Sequence, residues 1–438
     1  MKLTGWGQYP VIEAVVYAPK TINEVVGLVK NGNLIARGNG RAYGDSAINS
    51  FATLEMKHFD KIIKFNNETG ELIAESGVLL ADIVNNYIDK GWFPYVTPGT
   101  KFVTLGGMIA TDVHGKNHHK KGSFSQFVNW IEIVNSDGQV CRCSNDKNID
   151  LFVWTLGGMG LTGVILKASI TLQKVESSYI TETTIAARDI NHAIDILEST
   201  NDSTYSVAWV DCLKQGKGLG RSIIMLGEHA LSKDLPLSYK KLFSIKKSNL
   251  IIPFNLPEWF LNKPIIRCYN FLYYYWKKAL QRKALVDYEN YFYPLDSIIN
   301  WNRIYGKSGF IQFQCVIPKL YSQEGINELI SEISKSKAKP YLAVLKNFGS
   351  QTGNFSFPQE GLTLSLDFPV NDRTFLLIDK LDEITIRYGG RFYLAKDSRM
   401  SQQTFLFSDA RVQKFTEWRK ISGASNVFKS SQSDRLMI

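Results

Sequence analysis

Short β-branched and aromatic runs, cut by turn-forming residues, organise the first 175 positions. Ala14–Tyr17 and Leu34–Arg37 read as strands around a helix over Thr21–Asn31, which opens just after Pro19. Ile62–Phe65 and Glu71–Ser76 flank the turn-rich Asn66–Gly70 and predict a hairpin. Phe127–Asn135 and Gln139–Ser144 do the same around Ser136-Asp137-Gly138. A helix near Leu80–Lys90 and a long strand over Val164–Gln173 complete this part. Strands outnumber helices and hairpins recur, which predicts an α+β unit rather than a doubly wound parallel sheet.

After Val175 the glycine clusters stop and a second α+β pattern begins. Thr181–Ala186, Ser206–Cys212, Gly309–Ile317, Tyr341–Phe348 and Leu362–Asp367 read as strands, and Ile190–Leu197 as a helix. Asn371–Tyr388 is helical in period, with Phe375, Leu376, Ile378 and Leu381 as its apolar face. The expected units are residues 1–175 and 176–390, with 391–438 packing back on the first.

Composition narrows the class. The chain has 438 residues, 44% hydrophobic and 21% charged, which excludes a disordered polyelectrolyte. No run approaches the roughly 20 apolar residues of a membrane span. Gly5, Gly7, Gln8 and Pro10 interrupt any secretory h-region, so a cytoplasmic protein is expected. Cys141, Cys143, Cys212, Cys268 and Cys315 form an odd set without a CxxC pair and read as reduced thiols, with no metal site expected.

The charge is concentrated. Of a net +10, residues 240–283 hold nine, with ten Lys/Arg against Glu258 alone. The same insertion carries Trp259, Phe260, Tyr269, Phe271, Tyr273, Tyr274, Tyr275 and Trp276. Phosphate contacts and base stacking use these residue types, but no nucleic-acid motif accompanies them. A peripheral patch on an anionic membrane, at the inner face of the plasma membrane, fits better, and nucleic acid is not an expected partner. Pro253, Pro257 and Pro264 predict short helical pieces and loops there.

Three glycine-rich loops lie in the first unit. They are Arg37-Gly38-Asn39-Gly40-Arg41-Ala42-Tyr43-Gly44-Asp45-Ser46, then Pro98-Gly99-Thr100 through Leu105-Gly106-Gly107, and Gly157–Gly163. Glycine lets backbone amides approach phosphate oxygens and form an anion-binding nest. The spacing Gly38, Gly40, Gly44 leads into turn-like rather than helical sequence, which argues against a nicotinamide Rossmann site. Three such loops suit one extended diphosphate cofactor, of which flavin adenine dinucleotide (FAD) is an example.

RGNGRAYGDSAIN, PGTKFVTLGGMIATDVHGKNHHKKGSF and DLFVWTLGGMGLTGVI resemble the vanillyl-alcohol-oxidase/p-cresol-methylhydroxylase-type flavoproteins. Within that group the likeness is to the oxidases of polyprenyl-phosphoryl ribose. It continues through YSVAWVDC, FIQFQCVIP, YLAVLKNFG, LSLDFPV and YLAKDSR, nearly the whole chain outside the basic insertion. The resemblance implies a two-domain α+β flavoprotein fold. It implies FAD contacts at Ala36–Ser46, at Gly99 and Thr104, Leu105, Gly106, Gly107, at Thr111, His114, Gly115, Lys116 and Asn117, and at Ile165 and Tyr393. Many relatives tether flavin through a histidine in the first loop. Arg41, Ala42 and Tyr43 stand there instead, so FAD is expected to be noncovalent.

The implied reaction is oxidation of the ribose 2-hydroxyl to a ketone by hydride transfer to flavin. It is the first half of a C2 epimerisation towards an arabinose donor for cell-envelope glycan, completed by a separate NAD(P)H-dependent keto-sugar reductase. Lys396 in the AKDSR motif, His114 and Tyr43 are the implied catalytic residues. Lys396 would act as base in a desolvated position, or as an orienting cation. Lys116, Gln312, Gln314, Lys346, Ser365, Asp367 and Lys396 are the implied substrate contacts. Trp209 and Phe348 are weaker candidates for an apolar wall. Gln312 and Gln314 are two apart on a strand and share a face. Ser365 stands where familiar members carry a cysteine, so thiol-directed reagents should miss the site. An alditol or aldonolactone oxidase of the same fold remains the alternative.

Overall fold

The computed structural model describes residues 1–236, 250–257, 263–351 and 353–438. Lys240, Lys241, Lys246, Lys247, Trp259 and Phe260 of the basic insertion therefore lie outside the described residues. Two large antiparallel sheets carry the molecule, and helices cover them, an α+β fold. One sheet is built around the long strand Val164–Lys174. It pairs with Val128–Val134, with Glu71–Glu75 and, near its end, with Trp92–Pro94. Both expected hairpins are present, Ile62–Phe65 with Glu71–Glu75 and Val128–Val134 with Val140–Ser144.

A small parallel sheet, which the hydrophobic pattern did not predict, places Thr53–Glu55 between Val16–Tyr17 and Ile35–Arg37. Val25 and Val29 of the helix Ile22–Asn31 pack against it with Phe428 from the chain's end. Leu34 and Phe428 form a bridge, with Leu34 N–H donating to the Val427 carbonyl at 2.9 Å.

The second large sheet has eight strands, with Leu342–Phe348, Gly361–Pro369 and Phe310–Pro318 adjacent in its centre. One face is covered by Ile190–Ser199, Ser322–Lys335 and Asp372–Arg387 around the largest core cluster. The side chain of Asn371 caps the last of these helices, accepting from Thr374 N–H at 3.0 Å. Its buried stripe runs through Leu377, Ile378, Leu381 and Ile384, whereas Leu376 is 67% exposed. Successive residues turn by about 100°, and with the stripe centred on Leu377, Ile378, Leu381 and Ile384, Leu376 falls beyond its edge.

The expectation of short helical pieces in the insertion is corrected by a 17-residue helix, Lys263–Ala279. Pro264 falls in its first turn, where the missing N–H has no intrahelical partner to lose. No helix among the described residues is long and apolar enough to cross a membrane.

Candidate active site

Gly361–Pro369 alternates Leu362, Leu364 and Leu366 with Thr363, Ser365 and Asp367. The leucines enter the helix-covered core, so the polar residues face the other way. Cross-strand register then assembles rows on this second face. Gln312, Asp367 and Leu342 form one row; Gln314, Ser365 and Val344 the next; Lys346 sits beside Thr363 in the third. Gln312 and Gln314 thus share the face, each opposite a polar residue.

The Tyr393–Ser398 turn and the first glycine loop close over these rows. Tyr43 N–H donates to the Ala395 carbonyl at 2.9 Å, and the Tyr43 ring stacks edge-on against Phe310 at 5.3 Å. Lys396 Nζ lies 3.6 Å from the centroid of the Tyr43 ring. Asp367 is buried, accepts from Gln312 and takes a bond from Tyr305 Oη at 3.2 Å. Burial lowers Lys396 well below the ordinary lysine range; Asp367 opposes this and Lys346 adds to it. Burial likewise raises the Asp367 carboxyl, against its bond from Gln312 and the charge of Lys396. Burial, with Asp367, raises the Tyr43 phenol far above its usual value, so it stays protonated.

His114 packs against Phe348 at 4.8 Å and Tyr393 at 5.0 Å. Its Nε2 lies 3.0 Å from Gln314 Nε2, which also donates to Thr363 Oγ1 at 3.3 Å. With the amide donating, the ring carries its proton on Nδ1, an atom with no protein partner. Burial and the charges of Lys346, His118 and Lys396 push His114 well below its normal pKa, so the imidazole is neutral. The neighbouring histidines are engaged separately, His118 with Gln351 Oε1 at 3.0 Å and His119 with the Ser203 carbonyl at 2.8 Å. Lys116 donates to the Tyr291 carbonyl and lies 4.1 Å from that ring's centroid.

The loops have the features a dinucleotide needs. A methyl group at Gly38 would lie 2.2 Å from Thr104 Oγ1, and one at Gly44 2.2 Å from the Asp397 carbonyl oxygen. A side chain at either position would push the loops apart. Gly99 instead has nothing within 4 Å of that position. Asn39 ties the first loop to the second through the Phe102 carbonyl at 2.8 Å, and Thr104 caps Gly107 N–H at 3.2 Å. Arg41 Nε, Ser76 Oγ, Asn117 Oδ1 and Ser398 Oγ are buried without protein partners around these loops. Buried polar atoms are normally paired, so a polar group fits among them. These cradles and donors fit FAD.

Not every candidate is placed alike. Arg37 is committed to protein, donating to the Thr4 carbonyl at 2.8 Å, and Asp45 to Arg435 at 2.8 Å. Leu105 and Ile165 are core residues by their side chains. Thr111 offers its hydroxyl to the Gly107 carbonyl at 2.8 Å and its carbonyl to Tyr393 Oη at 3.1 Å. Ala36 pairs with Leu54 in the small parallel sheet, and Gly106 N–H donates to the Ser76 carbonyl at 2.7 Å. Phe348 lines the His114 wall, whereas Trp209 packs away from it on Tyr273 at 4.8 Å.

Tyr305, and the role of Asp112 within the Thr111–Asn117 stretch, escaped the sequence reading. Tyr305 reaches Asp367 from a 3-10 turn. Asp112 is a buried hub accepting from Ser123 Oγ at 2.6 Å, Ser125 N–H at 2.7 Å and Ser356. It neighbours Val113-His114-Gly115-Lys116 in sequence, which was the available signal.

Comparison with known proteins agrees with this geometry. Residues 13–144 match the FAD binding domain family model. Across the whole chain, the protein is 32% identical over 454 aligned residues to decaprenylphosphoryl-beta-D-ribose oxidase of Mycolicibacterium smegmatis, covering 97% of that protein. An uncharacterized Streptomyces coelicolor protein is 29% identical over 82% of this chain and 98% of its own length. L-gulonolactone oxidase of Mus musculus is 27% identical over 41% of this chain and 40% of its own length. With residues 13–144 matching an FAD binding domain and a full-length relative of this kind, the chain belongs to the vanillyl-alcohol-oxidase-type FAD oxidases and oxidises a CH–OH group.

Proposed function

We propose that this enzyme oxidises the 2-hydroxyl of a polyprenyl-phosphoryl ribose to the 2-keto sugar. The observation that carries the reading is the placement of Lys396 Nζ 3.6 Å from the centroid of the Tyr43 ring, over a sheet face that carries Asp367, Gln312 and Gln314; its burial lowers the amine towards its free base. Bound FAD supplies the hydride acceptor. Lys396 Nζ takes the hydroxyl proton as the C2–H bond is given up, and the protonated Tyr43 forms the wall beneath it. Gln312 and Gln314 hold sugar hydroxyls, with Ser365 beside Gln314. Neutral His114 presents Nδ1–H as a further donor. The full-length likeness to a ribose oxidase supports the sugar.

Anaerobic flavin bleaching tests the substrate. Farnesyl-phosphoryl ribose should bleach the holoenzyme, whereas free alditols and aldonolactones should not. Bleaching by L-gulonolactone instead would move the enzyme to the alternative activity. FAD should also leave the polypeptide on acid precipitation, because no histidine occupies residues 36–46; flavin retained in the pellet would show a covalent link.

The ketone is then passed to a separate NAD(P)H-dependent reductase, giving net epimerisation at C2 towards an arabinose donor for envelope glycan. In this reading the first two glycine loops, tied together by Asn39, are occupied by FAD, which supports a division of labour.

The enzyme meets its lipid at the membrane surface through helix Lys263–Ala279. One side of that helix is anchored. Ile266 and Tyr274 are buried, Asn270 donates to Asp211 Oδ1 at 2.8 Å, and Arg221 lies 4.5 Å from the Tyr274 ring. The expectation that Tyr273–Tyr275 all meet headgroups is corrected: Tyr274 is buried and Tyr273 packs on Trp209. The other side exposes Tyr269, Phe271, Leu272, Tyr275 and Trp276, the last 58% exposed. Leu250, Ile251 and Phe254 are exposed as well. Arg267, Lys278, Arg282 and Lys283 supply exposed charge. Amphipathic rings favour the headgroup level. Basic residues near anionic lipid contribute about 1 kcal/mol each. Charge reversal at Lys278, Arg282 and Lys283 should weaken co-sedimentation with anionic vesicles more than tenfold, and salt should do so in the wild type. Equal partitioning of both proteins would refute docking.

A further inference from the structure

Two cations, one on the polar sheet face and one beside it, are not used by the chemistry at Lys396. Lys346 stands in the row beyond Gln314 and Ser365, opposite Thr363, with its Nζ 5.9 Å from the Phe348 ring. Phe348 in turn packs on His114 at 4.8 Å and His118 at 4.5 Å, so Lys346 overlooks the imidazole wall. Lys116 approaches from the opposite element. Its carbonyl accepts from Ser206 N–H at 2.8 Å, on the strand whose Ala208 pairs with Leu345 beside Lys346. Among the described residues, neither ammonium forms an ion pair. Lys346 has no hydrogen bond, and Lys116 has the Tyr291 carbonyl alone. The acids whose charge reaches this cluster are engaged elsewhere, Glu182 with Lys277 at 3.8 Å and Asp367 with Gln312, Tyr305 and Lys396.

We propose that Lys116 and Lys346 form a seat for a phosphate ester, placed two rows along the sheet from Asp367, beside which Lys396 marks the reacting end. This deepens the proposed function and rests on it for the identity of the ester, a sugar phosphodiester with a lipid alcohol. Two like charges without a counterion are costly in a desolvated cleft. The cost is visible in both: burial brings Lys346 down to about 8, and burial with the repulsion of Lys346 brings Lys116 down to about 7 against the pull of Glu182. A bound anion restores both charges, and lysine binds phosphate as a movable point charge. Rows two residues apart along a strand are separated by roughly 7 Å. The rows of Asp367 and Lys346 are two such steps apart. The long side chains of Lys396 and Lys346 reach inward over Gln314 and Ser365, so a pentose lying there has its hydroxyl end at Lys396 and its phosphate at Lys346.

The test is binding to the FAD-loaded enzyme, with farnesyl phosphate, farnesol and inorganic phosphate as probes, read by the flavin absorbance change and by calorimetry without vesicles. The ester should bind at least tenfold more tightly than farnesol. That preference should collapse in Lys346→Met and Lys116→Met, persist in Lys396→Met, and be restored in part by Lys346→Arg. Retention of the flavin spectrum checks that each variant is folded. No preference for the ester in the wild type, or an undiminished preference in Lys346→Met, overturns the seat. Inorganic phosphate binding as tightly as the ester overturns it too, since free phosphate is then the occupant. A preserved ester preference with no oxidation of any phosphoryl ribose leaves the seat standing and overturns the sugar reading.

Discussion

Replacement of Lys396 by Ala should slow flavin reduction by substrate by roughly 10²–10⁴-fold, the range of a lost general base. FAD absorbance and thermal stability should stay near the wild type, because among the described residues the Lys396 side chain makes no ion pair shorter than 4 Å and rests on the Tyr43 ring. Anaerobic stopped-flow reduction measures it. The pH dependence carries the mechanistic content. A base must first lose its proton, and burial has lowered Lys396, so the reduction rate should rise with pH as the amine is freed. Asp367 holds the proton on Lys396, so Asp367→Asn should move that rising limb to lower pH. Lys396→Met should lack the limb. A rate that instead falls as pH rises through this range would make Lys396 an orienting cation, and wild-type reduction kinetics in Lys396→Ala would remove it from the reaction.

What could be read from the chain was mostly local. The alternation of Leu362–Asp367 is a period-2 pattern with one dry and one polar face, and the structure uses both. The three glycine loops announced a diphosphate, because glycine at these spacings has a backbone reason. Tyr43 and Asp367 came into the site through the family resemblance and not through local pattern, since they reach Lys396 from positions 353 and 29 residues away in sequence. The choice between Leu376 and Leu377 was lost for another reason: both fit a broad apolar stripe, and only packing decides. Pro264 misled because proline was weighed as a breaker rather than as a first-turn residue. The parallel sheet of Val16–Tyr17, Thr53–Glu55 and Ile35–Arg37 rests on pairings of two or three residues, too short to show periodicity.

The second large effect is expected at the far end of the chain. Arg435, from the helix Ser431–Leu436, donates to Asp45 Oδ1 and to Asp397 Oδ2 at 2.8 and 2.9 Å. Asp45 belongs to the first glycine loop and Asp397 follows Lys396, so one guanidinium joins the cofactor cradle to the catalytic turn. Gln432 reinforces the joint, donating to the Leu394 carbonyl at 2.8 Å and to Asp397 Oδ2 at 3.1 Å. Burial works against the charge of Asp397, but Arg435 and Arg399 outweigh it and hold the carboxyl below its ordinary range. Burial raises Asp45 despite Arg435, and the charge of Asp397 raises it further. Arg435→Met therefore leaves two buried carboxylates facing each other. Removing one partner of a fully buried pair costs about 3–5 kcal/mol. Here the guanidinium keeps 25% exposure, so the smaller end of that range applies. Much of the strain falls on the loop that holds the dinucleotide. FAD affinity, measured by titrating apoenzyme, should drop at least tenfold, and flavin reduction at saturating FAD should also slow because the Lys396 turn is no longer fixed. Adding Asp45→Asn to Arg435→Met removes the repulsion and should recover part of the affinity. If the double variant bound FAD no better than Arg435→Met, repulsion between Asp45 and Asp397 would not be what Arg435 restrains.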